Sequence, residues 1–114
     1  MSQFVYVYRQ SERPPSSPQQ MQERLERWTT WLRNLQESKH LVDRGLPLEW
    51  SGGAVVRNRK GSISDGPYAE SKDIVMGFSL IEAKDLAEAV SLAQGCPALD
   101  GAGLVEVRPV MSLP

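Results

Sequence analysis

Apolar residues recur along this chain with two different periods, and the switches between them mark the elements. From Gln3 to Arg9, Phe4, Tyr6 and Tyr8 alternate with Val5 and Val7, all β-branched or aromatic, which predicts a strand. Ser11 to Ser17, with Pro14 and Pro15, sustains neither period and reads as a loop. Ser17-Pro18-Gln19-Gln20 predicts a helix start: Ser17 as N-cap, Pro18 at the first helical position, Gln20 completing a capping box. Met21, Leu25, Trp28, Leu32 and Leu35 then follow at intervals of four and three, the period of one helical face. Glu23, Arg24, Glu26, Arg27 and Arg33 fall largely off that stripe. Trp28 is expected in the core, and Trp31, beside the stripe, is placed to meet another subunit.

The helix is expected to fray near Ser38 to His40. Residues 41–53 contain Gly45, Pro47, Gly52 and Gly53 and predict irregular chain, with Leu41, Leu46, Leu48 and Trp50 tucked down as anchors. Ala54 to Arg57 and Gly61 to Ser64 predict a short hairpin turning at Asn58 to Gly61, with Arg57, Arg59 and Lys60 as a solvated basic tip. Asp73 to Glu82 is a strand in which Met76, Phe78 and Leu80 alternate with Val75, Gly77, Ser79 and Ile81, so both faces should be covered. Gly77 in mid-strand implies that something approaches it closely. Asp85-Leu86-Ala87-Glu88 is a second capping box, Leu86, Ala89, Val90 and Ala93 form a short apolar face, and Gly95 and Pro97 stop that helix. After a loop from Ala98 to Gly103, Leu104 to Val110 is the last strand.

The order strand, helix, strand with hairpin, strand, helix, strand is the ferredoxin-like βαββαβ plan: an α+β fold with two helices on one face of an antiparallel sheet. Parity assigns Val5, Val7, Val105 and Val107 to the helices. Tyr6, Tyr8, Gly77, Ser79, Ile81, Glu106 and Arg108 then fall on the other face, too apolar to stay wet and too polar to be core. That mixture predicts a homodimer closed sheet-on-sheet around a cavity, with parity as its only warrant.

Composition narrows the function. The 114 residues make one domain, 1–114. A net charge of -1 argues against a nucleic-acid grip, and no apolar run is long enough for a membrane span. The N-terminus lacks the pattern of a secretion signal, and the single Cys96 forms no intrachain disulfide, so the cytoplasm is the expected location. No metal-ligand set, nucleophile triad, phosphate loop or dinucleotide fingerprint occurs, so no cofactor is expected.

The most specific stretch is Asp65-Gly66-Pro67-Tyr68-Ala69-Glu70-Ser71-Lys72. It resembles the Asp-Gly-Pro-Phe signature and Ala-Glu-Thr-Lys continuation of the YCII-related (DGPF-domain) family. Gly77-Phe78, Leu80-Ile81-Glu82, Leu86 to Ala89, Cys96-Pro97 and Glu106-Val107-Arg108-Pro109-Val110 match in order, densely over the second half. The resemblance implies a dimeric α+β barrel. Some members lie beside extracytoplasmic-function sigma factors, implying a transcription-associated interaction role as one alternative. In the YCII branch a His/Asp pair is associated with enzymatic activity. Tyr68 replaces the signature Phe, and His40 has no matching motif around it, so that pair is carried to no residue here.

Each candidate has a plainer reading beside it. Asp65 before Gly66-Pro67 is what a turn requires, and that reading outweighs catalysis by about two to one. Glu70 and Lys72 lie on one side of extended chain, either as a surface ion pair or as proton-handling and anion-holding groups at a cavity mouth. Glu106 and Arg108 are either a salt bridge fixing the dimer or an acid–base pair, Glu106 raised in pKa and Arg108 binding a carboxylate. Cys96 is expected to pack as a small apolar residue and His40 to lie at the surface. The candidate catalytic groups are thus Glu106, Glu70 and Asp65. Those for a small anionic ligand are Tyr6, Tyr8, Asp65, Lys72, Ser79 and Arg108. Binding module and small acid–base isomerase or lyase are the competing readings.

Overall fold

A computed structural model describes residues 1–14, 17–61, 63–68 and 73–114. The sheet is built on β1 (Ser2–Gln10), flanked antiparallel by β5 (Ile74–Ala83) and β6 (Gly103–Pro109). β2 (Leu41–Asp43) closes the far edge against β5, giving the order β2-β5-β1-β6. Helices α1 (Pro18–Glu37) and α2 (Leu86–Ala93) connect these strands, which makes the fold ferredoxin-like α+β. β3 (Ala54–Val56) and β4 (Ile63–Asp65) form a separate two-stranded hairpin.

The helices begin where the sequence signals them. Ser17 caps α1 by accepting from the Gln20 N–H at 3.2 Å, with Pro18 next. Asp85 caps α2 by accepting from the Glu88 N–H at 2.9 Å, while Glu88 Oε1 accepts from the Lys84 N–H at 2.8 Å.

The second strand of the sheet is not the hairpin but Leu41–Asp43. His40 starts that pairing, its carbonyl accepting from the Glu82 N–H at 2.7 Å and its Nδ1 lying 2.8 Å from the Glu82 carbonyl. Because a carbonyl only accepts, that nitrogen carries the proton. His40 is therefore half-buried at the sheet edge. The chain after β2 then runs along β5, where Pro47 bridges Gly77 and the Leu48 N–H donates to the Met76 carbonyl at 2.8 Å. A Cβ on Gly77 would lie 2.9 Å from the Leu46 carbonyl oxygen, which is the close approach that a mid-strand glycine implied. Leu46 and Leu48 are exposed, not anchored, whereas Leu41 and Trp50 are half-buried.

The covered face of the sheet is the aromatic one, a reversal of the face expected for β1 and β5. Phe4, Tyr6, Tyr8 and Gln10 point to the helices, and opposite them in register lie Ile81, Ser79 and Gly77, all buried. Val5, Val7, Phe78 and Leu80 therefore lie on the open face. For β6 the parity assignment is as expected: Val105 and Val107 pack on the core and Glu106 and Arg108 turn away. Size and hydrogen bonding explain the reversal. α2 offers only small buried side chains, Ala89 and Ala93, so large rings from β1 are needed to fill the layer. The Tyr6 ring stacks on Trp31 at 5.9 Å and its hydroxyl donates to the Ala89 carbonyl at 2.5 Å. Burying a phenol costs little once its hydroxyl has an acceptor.

Trp31 is accordingly core, its indole N–H donating to the Leu92 carbonyl at 3.3 Å, rather than a residue reserved for another subunit. Leu35 is buried with it, while Met21 and Leu25 at the start of the same stripe are 55% and 66% exposed. The C-terminal half of α1 thus packs on the sheet, and its N-terminal half overhangs a gap.

Candidate functional site

That gap is a cleft of about 630 Å³ between α1, the middle of β5 and the chain following β2. Its size is in the range of small-molecule sites, ~300–1,000 Å³. Alternation along β1 delivers Tyr8 and Gln10 to its floor, and β5 adds Gly77 and Ser79. From α1 come Arg24, Trp28 and Leu32, one helical face; Arg44, Leu46 and Leu48 form the opposite wall.

The walls are mostly apolar, and the polar groups fall into two kinds. Tyr8 and Ser79 are joined: the phenol donates to Ser79 Oγ at 2.8 Å, and Ser79 Oγ donates to the Arg44 carbonyl at 2.7 Å. Trp28 meets the Tyr8 ring edge-on at 4.7 Å, which fixes the phenol. Burial pushes the Tyr8 phenol well above its ordinary value of 10.0, the Ser79 bond opposing, so it enters any chemistry as a neutral group. The second kind lacks partners. Gln10 is 5% exposed, and its Oε1 has no hydrogen-bond partner among the described residues. Arg24 is half-buried, and no described residue forms an ion pair or hydrogen bond with its guanidinium. Burial first, then the neighbouring Arg27 charge, lowers its pKa.

Of the residues singled out from sequence, the structure brings Tyr8 and Ser79 together in the cleft. Tyr6 is sealed in the core beneath α2. Arg108 and Glu106 are on the open face, joined by Arg9: Arg9 Nε is 2.9 Å and Arg108 Nη1 3.4 Å from the Glu106 carboxylate. The hydrogen bond from Arg9 holds the Glu106 carboxyl below its ordinary range, the opposite of the raised value that acid–base work would call for. Asp65 ends β4 in the hairpin, outside the cleft, and Gly66 takes φ of 84°, as the turn reading requires. Glu70 and Lys72 lie outside the described residues. Cys96 is buried, its Sγ accepting from the Ala98 N–H at 3.5 Å, and burial pushes the thiol up to about 12, so it remains unreactive.

Two cleft residues escaped sequence reasoning. Arg24 follows Met21 by three positions and precedes Trp28 by four, so it lies on the apolar stripe; a cation inside such a stripe was the available signal. Gln10, two residues beyond Tyr8 on the same strand face, follows once β1 is oriented correctly. A second hollow of about 620 Å³ on the outer side of α1 is lined by charges of both signs, including the Arg27–Asp100 pair at 3.5 Å. Among the described residues no cluster of His, Cys, Asp and Glu is placed to hold a metal ion, and no helix is long and apolar enough to cross a membrane.

These features define a ferredoxin-like α+β domain with one aromatic, helix-covered sheet face and one open face. The profile of the YCII-related domain matches residues 4–114, and the chain belongs to that family. A search of curated proteins finds no match.

Proposed function

We propose that this protein is a homodimeric small-molecule-binding module whose ligand occupies the cleft between α1 and the sheet in each subunit. The observation that carries the reading is the Tyr8–Ser79 hydrogen-bonded pair in a mostly apolar cleft of about 630 Å³. An apolar pocket with a few convergent polar groups is the form that ligand sites take. The site moves from the space between two sheets, where the sequence places it, to the helix side, because that is where Tyr8 and Ser79 point. Weighing against an acid–base enzyme, the cleft lining contains no carboxylate among the described residues, and Glu106 is held ionised on the other face.

The dimer rests on the open face. Val5, Val7, Leu80 and Phe78, the last 42% exposed, form an apolar band beside the Arg9–Glu106–Arg108 network. Among the described residues the β3–β4 hairpin packs against no other strand or helix, with Val56 68% exposed. An isolated two-stranded hairpin is marginal in water, so a second copy is a natural support for it.

Calorimetric titration with 2-naphthamide, a neutral aromatic probe, tests the cleft. Wild type is expected to bind, and Thr29→Trp, which fills the cleft from α1, to abolish binding while the circular dichroism spectrum is retained. Equal binding by both proteins contradicts the reading. Light scattering at micromolar concentration is expected to give twice the mass of the chain; a monomer refutes the dimer.

A further inference from the structure

We infer that the cleft selects organic anions with a compact apolar body, the anionic group being taken by Arg24 and the body lying between Trp28 and the Tyr8–Ser79 floor. The inference rests on the cleft being a binding site and adds the class of ligand. Three observations carry it.

Among the described residues, the charged ones that line the cleft are of one sign: they include Arg24 and Arg44, and no Asp or Glu. Nearby carboxylates are committed elsewhere: Asp100 pairs with Arg27 at 3.5 Å, and Glu106 is held by Arg9 beyond the sheet. A cationic ligand would meet repulsion here, and an anion would meet in Arg24 a charge that only the more distant field of Asp100 offsets among the described residues.

Arg24 is also the cation most in need of a counter-charge. Its side chain rises from the apolar stripe of α1 into the cleft, half-buried and without a partner among the described residues. A guanidinium partly withdrawn from water regains most from a carboxylate, which it can grip with two parallel N–H donors. Being four residues before Trp28 on the helix, it lies above the ring that would hold the ligand's body.

The polar floor sets a second requirement. Tyr8 donates its proton to Ser79, itself fully buried and donating to the Arg44 carbonyl, so the phenol can offer a ligand only lone pairs. Gln10, whose Oε1 has no partner among the described residues, belongs to the same lining. A ligand carrying a hydroxyl or amide at the end remote from its anionic group would match this floor.

The test compares three probes of one shape by calorimetry: 2-naphthoate, 2-naphthamide and 2-naphthylmethylammonium. Wild type is expected to bind the acid about tenfold or more tightly than the amide, the worth of one partly desolvated ion pair, and the ammonium most weakly. Arg24→Gln should lose that preference, binding acid and amide alike; Arg24→Lys should keep part of it. Arg24 is at the surface end of its helix face, so these variants are expected to fold, with circular dichroism as the check. Equal affinity of wild type for acid and amide, or a preference that survives Arg24→Gln, overturns the anion assignment. No binding of any probe overturns the cleft itself.

Discussion

The two faces of the sheet are made from alternate residues of the same strands, yet they solve different problems. On the helix side, Phe4, Tyr6, Tyr8 and Ile81 are buried and every phenol has an acceptor. On the other side, valines, Leu80 and Phe78 are left half-covered beside three exposed or half-exposed charges. Polarity of the side chains alone would have sorted them the other way. What decides is the volume to be filled and the presence of acceptors for the hydroxyls, since a satisfied tyrosine is a larger core residue than valine.

That contrast is sharpest in stability. Tyr6→Ala should cost about 3–5 kcal/mol, as removal of a fully buried ring does, whereas Val7→Ala on the open face should cost about 1 kcal/mol or less within one subunit. Urea midpoints measure both, and comparable losses would break the assignment of faces. If copies join there, the Val7→Ala loss should grow with protein concentration.

Alkaline titration probes the same layer. Cys96, raised to about 12 from 9.0, keeps its proton when folded and sheds it when unfolded. Stability should therefore fall above pH 9, by about 1.4 kcal/mol per pH unit for one proton. Tyr6 and Tyr8, both raised above their ordinary 10.0 by burial, steepen the fall above pH 10. Cys96→Ala should remove the first part of the slope and leave the second. A flat profile between pH 9 and 11 would mean that the covered face is wet.

Smaller still is Tyr6→Phe, which keeps the ring and removes the phenol's hydrogen bond to the Ala89 carbonyl, at about 1 kcal/mol. Glu106→Gln should change least, under about 1 kcal/mol, because the ion pairs that it breaks are partly exposed. Its contribution, present above the ordinary carboxylate pKa of 4.5, should fade as the pH drops below that value. A loss as large as that of Tyr6→Ala would mean that this network is buried in a firm interface.

The element types and their order were legible because capping residues and strong periodicity coincide, as at Ser17-Pro18 and Asp85 to Glu88. β2 was not: three residues next to a helix end carry no period, and its place is set by hydrogen bonds to Glu82 and the other residues of β5. Which face of β1 is covered depends on what the helices bring to it, and no single strand encodes that. Tyr8 and Ser79 were recognisable as polar residues in apolar strands. Gln10 joins them once the covered face of β1 is known, and Arg24, a cation within the apolar stripe, is brought in by the overhang of α1.

If ligand enters on the aromatic, helix-covered side of the sheet, the tryptophans there should report it. Indole resonances of the three tryptophans, followed by ¹H–¹⁵N spectra during titration with 2-naphthoate, test it most directly. The account predicts the largest shift at Trp28, which lines the cleft, with a smaller one at Trp31, whose N–H is held by Leu92, and none at Trp50. Saturable shifts confined to Val5, Val7 and Arg108, with Trp28 unmoved, would contradict it.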